Sequence, residues 1–103
     1  MTPYSAGVYV LPAEAWARRA SGTLANDLAA GATDRAHAVL VPCANDGYRV
    51  SIRAPRTAPK GCASLARVFA SGGGREAAAG IDHLPAAELE RFIERFRTAF
   101  GGC

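Results

Sequence analysis

The chain has 103 residues, of which 50% are hydrophobic and 20% are charged, and its formal net charge at pH 7 is +3. This length predicts a single domain over residues 1–103, and the composition excludes disordered and collagen-like chains. No apolar run reaches the roughly 20 residues of a membrane-spanning helix and the N-terminus lacks a signal-peptide pattern, so we expect a cytoplasmic protein that does not enter a membrane.

The hydrophobic pattern predicts four strands and four helices in the order β-α-β-β-α-α-β-α. In chain order these are a strand at residues 7–11, a helix at 13–31, strands at 37–43 and 48–54, a helix at 62–69, a short helix starting at Arg75, a strand at 80–83 and a helix at 86–100. This order predicts an α/β (mixed) fold, a small mixed β-sheet of about four to five strands with helices packed on it.

Two of these elements have the strongest sequence signals. Asn45-Asp46-Gly47 joins two apolar runs, and its Asx residues and glycine tolerate the positive φ of a hairpin turn. The last helix has apolar residues at the i, i+3, i+4, i+7 and i+11 positions of an amphipathic helix. These residues are Leu89, Phe92, Ile93, Phe96 and Phe100.

The three cysteines, Cys43, Cys62 and Cys103, have no C-x-x-C spacing. This spacing indicates neither a zinc site nor a disulfide framework, so we expect reduced thiols. Cys62 opens a short helix that continues with apolar residues, which favours a buried structural thiol over a nucleophile.

Basic residues are concentrated in the middle of the chain. Residues 47–75 contain six basic residues and no acidic one, whereas the rest of the chain contains six basic and nine acidic residues. A basic segment between acidic ends indicates a local site for a phosphate or a nucleic-acid backbone, although a solvated basic face has the same pattern. The six residues are Arg49, Arg53, Arg56, Lys60, Arg67 and Arg75.

The segment Gly72-Gly73-Gly74-Arg75 is the strongest candidate for a binding motif. Glycines lack a Cβ atom, so their N–H groups can approach an anion closely, and a helix starting at Arg75 would add its positive N-terminus. A cation at a helix start is unfavourable unless it meets an anion, so Arg75 also points to a phosphate. A flexible loop is the alternative, whereas neither the Walker loop nor the dinucleotide fingerprint fits this segment.

Strand alternation places Arg49 and Arg53 on one face of the strand at residues 48–54. The two arginines could therefore serve one ligand. We take Arg53 as the main candidate on this strand, with Arg49 and Arg56 as additional ones.

Residues 48–96 resemble the first DHH-associated domain, the C-terminal module of DHH-family phosphoesterases. The resemblance rests on a strand ending in Ser51-Ile52-Arg53, a short helix, the three glycines followed by Ala78-Ala79-Gly80, and the final amphipathic helix. It implies that Arg53 is a phosphate ligand and that Gly72, Gly73 and Gly74 form its cradle. The family usually has a histidine after these glycines, whereas Arg75 can bind phosphate but cannot titrate near pH 7.

The resemblance also implies the partners of the chain. They are a nucleotide or a short single-stranded nucleic acid, and a DHH catalytic domain in cis or in trans, of which this chain would be the C-terminal part. Hydrolysis would occur in that separate domain on a divalent metal such as manganese, with no cofactor in this one. A homodimer is compatible with this interpretation.

The sequence does not predict an active site in this chain. A two-metal centre needs several converging carboxylates and histidines, whereas this chain has only His37 and His83 and four scattered aspartates. We interpret Asp82-His83 as a polar pair at a strand edge and expect no catalytic or metal-binding residues.

Two other functions fit the sequence. One is a protein interaction or dimerisation domain with an apolar surface around residues 8–11 or Trp16. The other is a tRNA-binding domain like the C-terminal domain of alanyl-tRNA synthetases, which has glycines followed by arginine.

Overall fold

The computed structural model describes residues 2–5, 7–31, 34–43 and 46–100. These residues form a mixed six-stranded sheet with helices on both faces, which confirms the predicted fold class with more strands than expected. The strands are β1 (Thr2–Ser5), β2 (Val8–Val10), β3 (His37–Cys43), β4 (Gly47–Arg53), β5 (Gly72–Gly74) and β6 (Ala78–Pro85). The helices are α1 (Ala15–Gly31), α2 (Cys62–Arg67) and α3 (Leu89–Phe100), the last preceded by a 3₁₀ turn at Ala86–Glu88.

The strands are ordered β1-β2-β3-β4-β6-β5 across the sheet. β2 and β3 are parallel and are connected by α1, because parallel neighbours need a long crossover. All other neighbours are antiparallel. α1 is one helix that continues through Ser21-Gly22. Within the described residues, no helix has both the length and the apolar character needed to cross a bilayer.

β3 is buried on both faces of the sheet. Its residues Ala38 and Leu40 belong to the main core with α2 and α3, whereas Val39 and Val41 pack with α1 in a second core. All four side chains have no exposed surface. Residues directly opposite each other on antiparallel strands share a face, so this division extends to the neighbouring strands.

α3 confirms the strongest helix prediction. Phe92, Ile93 and Phe96 are buried on its inner side, and Phe92 packs against Phe69, two residues after α2, with ring centroids 5.8 Å apart. The hairpin between β3 and β4 is also confirmed, with Asp46 at φ +54° in its turn. Asn45 lies outside the described residues.

The helix predicted from Arg75 is wrong. Residues 72–85 form a hairpin in which β5 pairs with β6 and the Arg75 N–H donates to the Ala78 carbonyl at 2.8 Å. Alanine favours helices, but the backbone of β6 is hydrogen-bonded to β4 on one side and to β5 on the other. This tertiary pairing outweighs the local preference of residues 77–79.

Candidate functional site

α1 covers only part of its face of the sheet. It packs on β3 and reaches β4, whereas α2 packs against β5 and β6 on the opposite face. At Gly73 the uncovered side of β5 is open space, since an added Cβ atom would meet nothing within 4 Å. We call the α1 side of β4, β6 and β5 the open face, which carries Arg49, Ser51, Arg53, Gly73, Arg75, Ala78 and Gly80.

The pairing of β3 with β4 places the strand arginines on this face. Ser51 lies opposite Val39, which is buried beneath α1. Arg49 lies opposite Val41, which is also buried beneath α1, and Arg53 donates a hydrogen bond to Asn26 of α1, so both arginines share the face of Ser51. The prediction that the two arginines lie on one face is therefore confirmed.

The β5–β6 hairpin adds a third arginine to the open face. Arg53 lies opposite Ala78 of β6, and Ala78 in turn faces Arg75 across the hairpin. Arg53 of β4, Ala78 of β6 and Arg75, the residue that follows β5, thus form one row. Two strand spacings separate the arginine backbones, about 10 Å. Arg75 therefore lies at the end of a hairpin strand and not at the predicted helix start.

Small residues fill the space between the arginines. Ser51, Gly80 and Gly73 form the row next to the arginine pair, and Ala78 lies between the two arginines. A ligand on this floor would meet little more than backbone. Ser51 and Gly80 are not among the candidate residues that the sequence predicts. The alternation of β4 could have indicated Ser51, whereas Gly80 depends on strand register.

The three glycines of β5 have different surroundings. Gly72 faces α2, where an added Cβ atom would overlap the backbone carbonyl oxygen of Ala66, and its N–H donates to the Phe69 carbonyl at 3.2 Å. Gly74 has φ +141° and lies against Ala79 of β6. Gly73 alone contributes to the floor of the open face. The expected helix N-terminus next to these amides is absent, because residues 72–85 form a hairpin.

Arg53 is held in place at the border of α1. Its Nε donates to Oδ1 of Asn26 on α1 at 2.7 Å, and its Nη1 donates to the Ile52 carbonyl at 2.9 Å. Arg49 and Arg75 are exposed. Within the described residues, no carboxylate forms a salt bridge with any of these three arginines. Their positive charges thus remain available to an anionic ligand.

The other predicted candidates lie outside this group. Arg56 and Lys60 are in the exposed loop after β4, and Arg67 is exposed on α2, which packs on the opposite face. Asp82 and His83 are in β6 just beyond Ile81, the last residue that pairs with β5, and Ser71 forms hydrogen bonds with both of them. The His83 ring lies against Gly47 of β4. Among the residues that the structure describes, no three His, Cys, Asp or Glu side chains gather as metal ligands.

Cys62 is buried, and its backbone N–H donates to the carbonyl of Glu76, in the turn of the β5–β6 hairpin, at 3.1 Å. Burial raises the pKa of the Cys62 thiol to about 11, from 9.0 for a free thiol. A thiol that stays protonated at neutral pH is a poor nucleophile. The structure thus agrees with a structural role for this residue.

We expect the stability of the domain to decline between about pH 9 and pH 11 in part through Cys62. The unfolded state loses the thiol proton near pH 9.0 while the folded state keeps it to about pH 11, so the free energy of unfolding falls as pH rises through this range. Urea unfolding at pH 8, 9.5 and 10.5 measures this decline. It should be shallower in Cys62→Ala than in the wild type and in Cys43→Ala. Equal slopes in all three proteins would contradict the prediction.

No protein-family model matches this chain, and no curated protein matches it significantly.

Proposed function

We propose that the open face binds the phosphate of a nucleotide or of a short single-stranded oligonucleotide, and that the chain is the substrate-binding domain of a DHH-type phosphoesterase. A separate catalytic domain, in cis or in trans, would hold the divalent metal and carry out hydrolysis. Arg53 and Arg75 would bind the phosphate and Arg49 would extend the site along β4. The motifs in residues 48–96 support the assignment to this class of phosphoesterase.

One observation carries the proposal. Arg53 and Arg75 are 22 positions apart in the sequence, but β6 brings them into one row on the open face with Ala78 between them. Guanidinium groups bind phosphate through several parallel hydrogen bonds, and two of them can contact one phosphate from both sides. The glycine at position 73 leaves the floor clear, since no atom lies within 4 Å of where its Cβ would be.

The three glycines of β5 support the proposal, but they do not have the same role. Gly73 would let the ligand approach the backbone of the sheet, because the space above it is open. A Cβ atom at Gly80 would lie 2.9 Å from the Val50 carbonyl oxygen, so Gly80 allows β6 to approach β4 closely. Gly72 and Gly74 would act indirectly, because they allow β5 to pack closely against α2 and β6. Their contribution to binding is then to hold Gly73 and Arg75 in position.

Replacing Arg53 or Arg75 with alanine is expected to weaken binding of a 5′-phosphorylated oligonucleotide. A hydrogen bond to a charged group contributes about 1.5–3 kcal/mol, so each variant should lose roughly 10- to 150-fold in affinity. The plot of log affinity against log salt concentration has a negative slope. The magnitude of this slope should decrease by about 0.7, the value for one phosphate contact on a single strand. Fluorescence anisotropy at several salt concentrations measures both quantities.

Two controls accompany this measurement. Arg95→Ala removes an exposed arginine of α3, which packs on the opposite face of the sheet, and should retain wild-type affinity. The unphosphorylated form of the same oligonucleotide should bind more weakly to the wild type. Equal affinity of Arg53→Ala and wild type, in a folded variant, would remove Arg53 from the site. Failure of the wild type to bind any phosphorylated probe would refute the proposed function.

Trp16 favours a second candidate function, a protein interaction domain. Its side chain is 50% exposed, and its Nε1 donates to Glu14 at 2.6 Å. Val8 and Leu11 do not contribute to such a surface, since both are buried in the core. Sedimentation over a wide range of protein concentrations tests self-association, and Trp16→Ala should abolish it if this surface is the interface. Preference of the domain for folded tRNA over short oligonucleotides would instead support the tRNA-binding alternative.

A further inference from the structure

The described contacts of Arg53 indicate how its guanidinium is oriented. An arginine has five N–H donors, and here Nε and Nη1 each give one to the protein. Three donors remain, one on Nη1 and two on Nη2. They lie at the end of the guanidinium, where a pair of parallel hydrogen bonds to one phosphate can still form.

We propose that Asn26 of α1 is a positioning residue that fixes Arg53 for phosphate binding. This inference rests on the proposed function. The Asn26 side chain reaches Nε of Arg53 at 2.7 Å from a different element, 27 positions away in the sequence. A free arginine side chain loses much conformational freedom when it binds a ligand, and a side chain that is already held loses less.

The chemistry of the amide is suited to this role. Its Oδ1 accepts the Nε–H bond but carries no charge, so the full positive charge of Arg53 remains for the ligand. A carboxylate at the same position would accept the same hydrogen bond and would cancel that charge. Asn26 therefore combines orientation of Arg53 with retention of its charge.

Two substitutions of Asn26 separate these effects. Asn26→Ala should weaken binding of a 5′-phosphorylated oligonucleotide by about 3- to 10-fold, because Arg53 is no longer held before the ligand arrives, and should leave the salt slope unchanged. Asn26→Asp should weaken binding by about 10-fold or more and should lower the salt slope by about 0.7, because the new carboxylate neutralises Arg53.

Matched controls account for charge and for folding. Thr23→Asp adds the same charge at an exposed position one turn earlier on α1 and should have a much smaller effect. Thermal unfolding of each variant reports the contribution of the Asn26–Arg53 bond to stability. If this bond only fastens α1 to the sheet, Asn26→Ala should lower Tm without changing affinity.

A double-mutant cycle gives the decisive result. In an Arg53→Ala background, Asn26→Ala should not change the affinity further, because its effect passes through Arg53. Wild-type binding that depends on Arg53 but is insensitive to both Asn26 variants would overturn this inference and leave the proposed function intact. Additive losses in the cycle would also overturn it. Absence of wild-type binding to the phosphorylated oligonucleotide would instead refute the proposed function, and the inference with it.

Discussion

Replacing Gly72 with alanine is expected to destabilise the domain by about 4 kcal/mol or more, which is close to the whole stability of a small domain. The added Cβ atom would overlap the backbone carbonyl oxygen of Ala66 and would lie 2.5 Å from the carbonyl carbon. Backbone atoms of a packed helix segment cannot move aside as a flexible side chain can. β5 would have to separate from α2, which exposes the core beneath it.

Gly73→Ala is the matched control for this prediction. Gly73 is the next residue of the same strand and has open space at its Cβ position. We expect the free energy of unfolding of Gly73→Ala to differ from that of the wild type by less than about 1 kcal/mol, since alanine fits there and lowers the entropy of the unfolded chain. Urea unfolding followed by circular dichroism measures both variants. Equal stabilities for the two variants would show that Gly72 does not approach α2 as closely as described.

Phe92→Ala is expected to lower the free energy of unfolding by about 3–5 kcal/mol. The Phe92 ring has no exposed surface and lies between Phe69 and Phe96, at centroid distances of 5.8 Å and 6.2 Å. Its removal leaves a cavity in the main core where α3 packs against Phe69. The neighbouring rings cannot fill that cavity without leaving their own contacts.

Glu94→Ala provides the comparison on the same helix. Glu94 is exposed on the outer side of α3, so its replacement should change stability by no more than about 0.5 kcal/mol. Chemical denaturation of the two variants under identical conditions measures the difference. A loss in Phe92→Ala no larger than that in Glu94→Ala would contradict the described packing of α3.

The packing of β5 also affects the proposed binding site, because Arg75 follows this strand. Gly72 allows β5 to pack closely against α2, and Arg75 directly follows β5. A loss of packing at Gly72 should therefore also displace Arg75 from the open face. Gly73→Ala keeps the fold but adds a methyl group to the floor, in the row next to Arg53 and Arg75. Binding measurements on this variant therefore report on the floor separately from the fold.

The amino-acid sequence by itself determined α3 and the β3–β4 hairpin. Both depend on local patterns, the helical spacing from Leu89 to Phe100 and the turn residues before Gly47. Alternation along β4 was also sufficient to place Arg49 and Arg53 on one face. These patterns extend over a few residues and need no distant partner.

Only the tertiary structure decided what the glycine segment and Arg75 do. Three glycines have no side chains with which to show the two-residue period of a strand, and the alanines after Arg75 favour a helix locally. Pairing of β6 with β4 and β5 overrides that preference and brings Arg75 opposite Ala78 and into line with Arg53. Long-range register, and the close approach of Ala66 to Gly72, set this arrangement, and neither leaves a local pattern in the sequence.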